Sequence, residues 1–385
     1  MHPSDRIRYA RGNHLGGKKI ALAVTGSIAA VEAVKVAREL IRYGAEVYPY
    51  MTHSAGKFIG KDALLFATGH EPITELSGMD EHLEEFDIIL VSPATGDIIS
   101  KAACGIADDA VSTLILANLR KCIFVPAMSE KMYTNPMLKE NIEKLKGFAR
   151  VVEPKYEEGE MKLPGRERIT AEVIHSLGAL QDKKILIVGG AGYAPIDEFR
   201  IITNLSTGRT AVEIAKEAYF MGATVHLLMG LHSVSVPEYI PVERFTTVES
   251  LIGRIDKIVA EKYDAIIVPA ALPDFAPEPK SGKIEFEQAR TLKLKKVPKF
   301  LEALRKKYHG YLVGFKAEFD SQQLIEEAKD RMRRYNLNMV VANNLSEVKE
   351  KESRVHIITE KDVVEVAGTK SEIAREIMMR VAYEI

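Results

Sequence analysis

Residues 189–209, which read GGAGYAPIDEFRIITNLSTGR, combine glycines with side chains that can hold an anionic substrate. Glycines between a strand and a helix let backbone N–H groups approach a phosphate. Arg200 adds a fixed positive charge, and Asn204 offers an amide to an acyl oxygen. Ser206 and Gly208 lie at the start of the next helix. The spacing therefore favours a site for a phosphate- or carboxylate-bearing substrate, but a loop whose hydroxyls cap the helix explains it equally well.

A shorter turn at residues 25–30, TGSIAA, can hold a phosphate in the same way. It lacks the lysine of a Walker motif. Gly26 permits close approach, and the Ser27 hydroxyl and the helix N–H groups can donate to an anion. The helix that follows is expected to bury Val31, Val34, Ala37, Leu40 and Ile41. Spacing alone makes this turn a weak indication of a phosphate site.

The same order of strand, glycine turn, helix and strand occurs twice in the chain, and it indicates that parallel sheets position both turns. Strands at 20–24 and 185–188 each follow Lys-Lys and lead to a glycine turn, a helix and a strand after Gly-Ala. Strands alternating with helices predict right-handed βαβ units, whose ligands bind beyond the carboxyl ends of the strands. The sequence therefore predicts an α/β protein with two doubly wound, mostly parallel-sheet domains. We expect a flexible tail at 1–17 and domains at 18–180 and 181–385.

Composition excludes several classes of partner. The chain has 53 Lys and Arg against 54 Asp and Glu, so no global basic excess favours nucleic acid or a membrane surface as a partner. No apolar run approaches the roughly 18 residues of a membrane span, and the start lacks the apolar segment of a signal peptide. Cys104 and Cys122 do not form a disulfide framework. We therefore expect a cytoplasmic protein.

Residues 183–380 resemble the phosphopantothenate–cysteine ligase domain of the bifunctional coenzyme A biosynthesis flavoproteins. The residues that match the family signature are Gly189, Gly190, Ile196, Asp197, Arg200, Ile202, Thr203, Asn204, Ser206 and Gly208. The resemblance implies a Rossmann-like fold. It also implies that CTP activates the 4'-phosphopantothenate carboxylate as an acyl-cytidylate, which the cysteine amine then attacks.

The same resemblance implies roles for single residues. Asn204 would assist the attack of cysteine, and Lys283 would face the triphosphate, for which a point charge on a flexible stem is suited. The substrate-binding residues would be Arg200, Asn204, Ser206 and Gly208. The CTP-binding residues would be Asp274, Lys283, Phe315 and Arg331. Asp274 would also bind Mg²⁺. Glu285 and Tyr335 occupy positions where the family has basic residues.

Residues 18–168 resemble the flavin-dependent cysteine decarboxylases. The motifs TGSIA at 25–29, SPAT at 92–95, GIADD at 105–109 and PAMS at 126–129 carry this resemblance. It implies a flavodoxin-like domain with non-covalent FMN, in trimers whose subunit boundaries form the site. The FMN-binding residues would be Gly26, Ser27, Ile28, Thr52, Thr95 and Met128. FMN would oxidise the cysteinyl thiol, CO₂ would leave, and the electrons would return to give 4'-phosphopantetheine.

Catalytic roles in this domain would fall to His82 and Ser129. His82 matches the family's histidine, which acts as a base or as a donor to the substrate carboxylate; a solvated surface histidine is the alternative. Ser129 replaces an asparagine of the family, and Gly159 occupies the position of a cysteine in its substrate flap. Trimers of this domain joined by dimers of the ligase domain would give a dodecamer.

The sequence thus predicts a bifunctional enzyme of coenzyme A biosynthesis, and two alternatives stay open. One is an active ligase whose flavin-binding domain is impaired in decarboxylation by Ser129 and Gly159. The other is an NAD(P)-dependent reductase that uses either glycine turn. Neither turn carries the full G-x-G-x-x-G spacing, which disfavours the reductase.

Overall fold

The computed structural model describes residues 2–279, 281–284, 291–318, 321–344 and 353–385, with the backbone alone at 321 and 322. Glu285 lies outside the described residues. The chain separates into two compact units, Met1–Leu177 and Gly178–Ile385. Among the described helices, none is both long and apolar enough to cross a membrane.

The first unit is built on a five-stranded parallel sheet in the order β2-β1-β3-β4-β6. Its strands, and those of a small antiparallel sheet beside it, are β1 (Lys19–Val24), β2 (Glu46–Met51), β3 (Ile88–Ala94), β4 (Cys122–Pro126), β5 (Met128–Ser129), β6 (Arg150–Val151), β7 (Lys155–Glu157) and β8 (Glu160–Lys162). Numbered along the chain, the strands of the parallel sheet run 2-1-3-4-5, which is the flavodoxin-like order. The prediction for this domain is confirmed.

Helices pack on this sheet because its central strands are apolar on both faces. These helices are α1 (Ala33–Arg42), α2 (Lys61–Thr68), α3 (Gly96–Cys104), α4 (Ala110–Ala117), α5 (Glu130–Tyr133), α6 (Pro136–Lys146) and α7 (Arg166–Ser176). The predicted buried face of the first helix is wrong at Val31, which is 46% exposed. Residues Ile28–Glu32 form a 3₁₀ turn, and its tighter winding puts Val31 outside the buried stripe of α1.

Residues 2–17 pack against the first unit, which corrects the flexible tail expected at 1–17. Leu15 is fully buried, and the Arg8 guanidinium donates to the carbonyl of Ala45 at 2.7 Å. Arg11 lies 2.6 Å from the carboxylate of Glu39, whose side chain is inaccessible to solvent. A buried carboxylate needs cationic partners, so Glu39 binds the basic start of the chain to α1.

The second unit is built on an eight-stranded sheet in the order β13-β12-β9-β14-β17-β18-β19-β20. Its strands, with those of two hairpins beside it, are β9 (Lys184–Gly189), β10 (Tyr193–Pro195), β11 (Ile201–Thr203), β12 (Thr224–Met229), β13 (Val242–Arg244), β14 (Ala265–Val268), β15 (Phe275–Pro277), β16 (Leu294–Lys296), β17 (Tyr311–Glu318), β18 (Met339–Asn344), β19 (Ser353–Ile358) and β20 (Val363–Gly368). The parallel strands, numbered along the chain, run 3-2-1-4-5-6, which is the Rossmann order. The antiparallel strands β19 and β20 extend one edge.

Helices again accompany this sheet; all but the last lie between parallel strands, and the last follows the antiparallel strand β20. They are α8 (Arg209–Phe220), α9 (Val248–Ile252), α10 (Ile255–Ala260), α11 (Phe300–Arg305), α12 (Ser321–Tyr335) and α13 (Lys370–Glu384). One hydrophobic core beneath the sheet joins strand residues such as Ile266 and Val340 to helix residues such as Leu304 and Ala328. In both units the strand order reverses beside the first strand, which is where ligands of such sheets bind.

Candidate active sites

In the first unit, the strand ends at the reversal point are joined by two threonines. The Thr25 hydroxyl, just after β1, donates to the carbonyl of Pro93 at 2.7 Å and accepts from the Thr95 backbone N–H at 3.2 Å. Thr95 in turn caps α3 by accepting from the N–H of Ile98. The structure therefore brings the predicted Thr95 to the turn that contains Gly26. Thr25 was not predicted as a site residue, although it lies within the TGSIA motif.

Hydroxyl groups surround the first turn. A Cβ on Gly26 would lie 2.4 Å from the Ser54 hydroxyl oxygen, so only glycine lets the two loops meet. That hydroxyl is 3.1 Å from the Thr52 hydroxyl, and the Ser27 oxygen accepts from a backbone N–H of its own turn. Ser54 was missed because no motif marks it. These hydroxyls can hold a phosphate as hydrogen-bond donors.

Ile28, the remaining predicted residue of this turn, is 71% exposed. Its predicted role in flavin binding stays a prediction. Met128, predicted for the same group, is half-buried in β5, one residue after Ala127, whose N–H donates to Ala94 at 3.2 Å. Met128 thus follows the carboxyl end of β4, beside that of β3.

A cavity of about 710 Å³ opens at the carboxyl end of β2. It lies between the loop after β2 and the start of α4, and is lined by Met51, Thr52, His53, Gly56, Lys57, Lys61, Thr74, Glu75, Leu76, Ala107, Asp108, Asp109, Ala110 and Thr113. Of the predicted flavin residues, Thr52 lines it. The volume falls within the range of small-molecule sites. The Asp109 side chain caps α4 by accepting from the Ser112 N–H at 2.7 Å, which shapes the far wall.

His82 does not line this cavity. It lies in the 3₁₀ turn Glu81–Leu83, which is held by the Tyr50 hydroxyl donating to the Glu81 carbonyl at 2.7 Å. The Asn118 amide, at the C-terminal end of α4, donates to the His82 carbonyl at 3.4 Å. The His82 Nδ1 atom is buried and has no hydrogen-bond partner within the described residues. A buried ring nitrogen without a hydrogen-bond partner is uncommon in folded proteins, and a catalytic role is one explanation for it.

Ser129 lies on the small antiparallel sheet, where it pairs with Glu160 of β8. The hairpin between β7 and β8 turns at Glu158 and Gly159, with φ of +54° and +75°. Positive φ at both positions is typical of a two-residue hairpin turn that favours glycine. The flap of the predicted substrate site is therefore paired with the PAMS motif. A Cβ on Gly159 would contact nothing within 4 Å in the described structure.

The two cysteines differ in environment. Cys122 is buried at the start of β4, and burial raises the pKa of its thiol. Cys104 is exposed at the end of α3. Neither belongs to the flap.

In the second unit, the glycine turn after β9 is bonded to two neighbouring strand ends. Gly190 has a φ of +75°, and a Cβ there would lie 2.7 Å from the Leu231 carbonyl. Ala191 exchanges two backbone hydrogen bonds with Leu231, each 2.8 Å long. The N–H of Gly192 donates to the Ala271 carbonyl at 3.1 Å. The turn thus sits at the reversal point, between the extensions of β12 and β14.

The predicted substrate residues occupy the hairpin β10–β11 and the turn into α8. Asn204 is exposed directly after β11. The Ser206 hydroxyl accepts from the N–H of Gly208 at 3.4 Å within the turn, but the N-cap of α8 is Gly208 and no side chain makes a capping hydrogen bond there, so the capping alternative is not supported. Gly208 has a φ of +78°, and a Cβ there would approach Met229 Cε to 2.7 Å.

Arg200 is engaged within its own loop, and its role in substrate binding stays a prediction. Its Nε donates to Asp197 Oδ2 at 2.9 Å, and its backbone N–H donates to Oδ1 at 2.7 Å. The Asp197 side chain is inaccessible to solvent. The Arg200 guanidinium, followed by backbone N–H donors, holds the pKa of that carboxyl well below its usual range.

The Lys283 segment, residues 281–284, docks on this loop. The N–H of Ile284 donates to Asp197 Oδ2 at 3.2 Å, and Arg200 Nη2 donates to the Ile284 carbonyl at 2.8 Å. The N–H of Gly282 donates to the Glu198 carboxylate at 3.1 Å. Lys283 itself is exposed between these contacts. The structure thereby brings Lys283 to the hairpin that Asn204 follows.

Asp274 forms an ion pair with Lys299, which was not predicted as a site residue. The basic run at 293–299 is the signal that indicates it. Burial lowers the pKa of Arg331, and the nearby Tyr335 and Asp274 offset part of this lowering. The Arg331 Nε atom has no hydrogen-bond partner in the described part of the chain. Arg331 and Lys299 therefore put two cations near Asp274.

The metal expectation at Asp274 is not supported by further ligands. Across the described residues, no group of three or more His, Cys, Asp or Glu side chains could hold a metal ion. Tyr335 is buried in the core, with the Arg331 guanidinium 5.8 Å from its ring centre. Phe315 is half-buried in β17, paired with Val341 of β18.

Comparisons with known proteins agree with this two-unit arrangement. Residues 8–178 match the flavoprotein family, and residues 180–384 match the family of the DNA/pantothenate metabolism flavoprotein C-terminal domain. The chain is 38% identical over 396 residues to the coenzyme A biosynthesis bifunctional protein CoaBC of Methanocaldococcus jannaschii, covering 99% of this chain and 97% of that protein. For CoaBC of Thermococcus kodakarensis, identity is 40% over 377 residues, covering 93% of each.

The similarity extends to a more distant relative. CoaBC of Borreliella burgdorferi is 33% identical over 386 residues, covering 94% of this chain and 98% of that protein. Each match runs through both compact units. The chain therefore belongs to the family of the coenzyme A biosynthesis bifunctional proteins.

Proposed function

We propose that the second unit joins 4'-phosphopantothenate to cysteine at the expense of CTP. The enzyme is bifunctional in coenzyme A biosynthesis, with ligase and decarboxylase activities. The observation that carries the ligase proposal is the docking of residues 281–284 on the loop of Asp197 and Arg200. It brings an exposed lysine to the hairpin that precedes Asn204, at the edge of the sheet where ligands bind.

Each residue has a task that its chemistry suits. Lys283 would neutralise the triphosphate as pyrophosphate leaves, because an ammonium group is a mobile point charge. Asn204 would donate an amide N–H to the acyl oxygen during the attack by cysteine. Asp274 would accept from the exocyclic amine of cytosine, a donor that uracil lacks. The Arg331 guanidinium, whose Nε has no hydrogen-bond partner among the described residues, would donate to a nucleotide oxygen.

Magnesium would enter with the triphosphate. The described residues supply no carboxylate cluster for an independent metal site, and Asp274 is already paired with Lys299. Phosphate oxygens and water are the ligands that Mg²⁺ commonly takes in nucleotide sites. The ligase test is pyrophosphate release from 4'-phosphopantothenate with CTP, UTP, ATP or GTP, followed by mass detection of the cysteine adduct. We expect release with CTP; equal release with UTP would remove Asp274 from base recognition, and none with any nucleotide would refute the ligase.

We propose that the first unit binds FMN at the turn of Gly26 and the adjoining cavity. The fit rests on the Gly26 approach to Ser54, on the hydroxyls of Ser27 and Thr52, and on the cavity of about 710 Å³. FMN supplies a two-electron oxidation of the substrate thiol and returns the electrons after CO₂ is lost. The hydroxyls would hold the flavin phosphate, and Ile28, Thr95 and Met128 would border the ring.

His82 would act in the site of a neighbouring copy. It lies at the opposite end of α4 from the cavity wall, yet it carries a buried, unpartnered nitrogen. In a trimer whose boundaries form the site, the half-buried His82 ring would donate to the substrate carboxylate. Ser129, on the strand paired with the flap, would orient the same carboxylate.

Two measurements test the flavin proposal. We expect the purified protein to release FMN on denaturation, and a colourless protein that takes up no added FMN would refute the site. We also expect two inactive variants, His82→Asn and Gly26→Val, to recover decarboxylation of 4'-phosphopantothenoylcysteine when they are denatured and refolded together. If mixing restores nothing while each variant alone still assembles, His82 does not act across copies. The reductase alternative is not retained, because the chain belongs to a different family.

A further inference from the structure

The backbone on both sides of Lys283 is held by hydrogen bonds, and none of these bonds involves the exposed Lys283 side chain. On one side, the Gly282 N–H donates to the Glu198 carboxylate at 3.1 Å. On the other side, the Ile284 N–H and carbonyl bond to Asp197 and Arg200 at 3.2 and 2.8 Å. All three contacts use the backbone of the segment. As far as the described residues show, these contacts leave the lysine ammonium group available for a ligand.

We propose that Asp197 and Arg200 form a seat that positions Lys283 for the pyrophosphate-forming step, so that they are positioning residues for that step. This inference rests on the proposed ligase function. It assigns Arg200 a task other than direct substrate binding.

The seat is rigid because one buried carboxylate collects many donors. Asp197 Oδ1 accepts from the N–H groups of Phe199 and Arg200, at 2.9 and 2.7 Å. Oδ2 accepts from the Arg200 guanidinium and from the Ile284 N–H. Charge-assisted hydrogen bonds of this kind are stronger than neutral ones. A carboxylate that is fully covered and fully bonded has one favourable orientation, so the segment that docks on it is also fixed.

Arg200 completes the seat by a reciprocal contact. Its Nε binds Asp197 while its Nη2 reaches the Ile284 carbonyl, so that both backbone polar groups of one residue are satisfied together. The planar guanidinium can make both bonds without losing its charge. Holding a catalytic group ready lowers the entropic cost of the reaction, and a displacement of about 1 Å can cost on the order of 100-fold in rate.

The alternative is that Asp197 only stabilises its own turn. Asp197→Asn separates the two roles, because an asparagine oxygen can still accept from Phe199 and Arg200 N–H groups. The amide would instead face the Arg200 guanidinium and the Ile284 N–H with donors of its own. The turn bonds would persist and the seat would be lost.

The experiment measures pyrophosphate release in the full-length protein for Asp197→Asn, Lys283→Gln and the double variant. We expect Asp197→Asn to lower the turnover number on the order of 100-fold with a small change in KM. In the Lys283→Gln background, the added Asp197→Asn should have no further effect, since the seat acts through Lys283. Hydrogen exchange of the peptide containing Gly282 and Ile284 should accelerate in Asp197→Asn without nucleotide.

A matched control uses an ion pair elsewhere in the same unit. Glu243 bonds to Arg254 and Lys257 at 3.0 and 3.2 Å on the surface, outside the hairpin. Glu243→Gln should leave both pyrophosphate release and the exchange of the peptide unchanged. If Asp197→Asn lowers the melting temperature of the unit, Arg200→Lys serves instead. It keeps the charge on Asp197 but loses the fork that reaches Ile284.

Three outcomes would overturn the inference. The first is unchanged pyrophosphate release in Asp197→Asn. The second is that adding Asp197→Asn lowers the turnover number as much in the Lys283→Gln background as in the wild-type protein. The third is unchanged hydrogen exchange of the peptide that contains Gly282 and Ile284. If the wild-type protein releases no pyrophosphate from any nucleotide, the ligase proposal fails and the catalytic task of the seat fails with it. The exchange measurement would then still decide whether the seat holds the segment.

Discussion

Asn204 carries no charge, which separates its expected task from that of Lys283. It is exposed after β11, where an amide can reach an acyl oxygen. We expect Asn204→Asp to keep releasing pyrophosphate but to form little cysteine adduct, because a transition-state donor is worth on the order of 3 kcal/mol. The two half-reactions are measured separately, as pyrophosphate release and as adduct mass, with acyl-cytidylate trapped by rapid acid quench.

Lys283→Gln is the matched comparison, since it should block the first half-reaction. The side chain is exposed, so the change should alter stability by no more than about 0.5 kcal/mol. Equal losses of both half-reactions in Asn204→Asp would mean that Asn204 acts in binding or folding. Normal pyrophosphate release by Lys283→Gln would exclude the lysine from the site.

The lowered pKa of Asp197 predicts how the contact between the seat and Ile284 responds to pH. Arg200 and backbone donors hold its pKa well below the unfolded value of about 3.9. A carboxyl of this kind contributes stability above the unfolded pKa, and the contribution is lost as pH falls through the folded pKa. We expect the protection of the Ile284 amide, corrected for intrinsic exchange, to be constant from about pH 8 to about pH 5 and to weaken below about pH 4. A transition near neutral pH would show that another group controls the contact.

At the scale of elements, the start of α4 links stability to the cavity. Asp109 and Ser112 form a capping box there, and Asp109 also lines the cavity. Asp109→Ala should cost about 1 kcal/mol of stability in the first unit and should weaken FMN binding. Calorimetry of the full chain and flavin titration measure the two effects.

The control for this prediction is the capping box of α13 in the second unit, formed by Thr369 and Glu372. Thr369→Ala should cost a similar amount, about 1 kcal/mol, and leave FMN affinity unchanged. If both variants weaken flavin binding alike, the loss follows from general destabilisation and not from the cavity wall.

At the scale of the whole chain, the packed N-terminal segment should contribute to the stability of the first unit. Leu15 is fully buried, so Leu15→Ala should destabilise that unit by about 2–5 kcal/mol. Arg6→Ala, at an exposed position in the same segment, should change stability by no more than about 0.5 kcal/mol. Thermal unfolding of both variants measures the difference, and equal melting temperatures would show that the segment is dispensable.

Assembly also belongs to this scale. Trimers of the first unit joined by dimers of the second remain our proposal. Light scattering after gel filtration should then give a mass twelve times that of one chain. A mass of one chain would also refute the action of His82 across copies, since no neighbouring site would exist.

The sequence by itself determined the architecture, because local patterns specify it. Short apolar runs such as Ile185–Val188 favour buried strands, and their alternation with helical stretches indicates parallel sheets. Glycines also mark turns in a sequence, because glycine adopts positive φ without strain. Gly190 and Gly208 do have positive φ. The two doubly wound sheets and the turns at their carboxyl edges were predictable for these reasons.

Only the tertiary structure decided which distant residues meet. Ser54 approaches Gly26, Lys299 pairs with Asp274, and Ile284 docks on Asp197 across residues that no sequence pattern connects. The same holds for Leu15 and Arg11, whose basic surroundings resemble a solvated tail until the buried Glu39 is known. Contacts of this kind depend on how strands are ordered and how loops fold back. Each such contact stabilises the fold only when both segments are in place, so the sequence of one segment alone does not predict it.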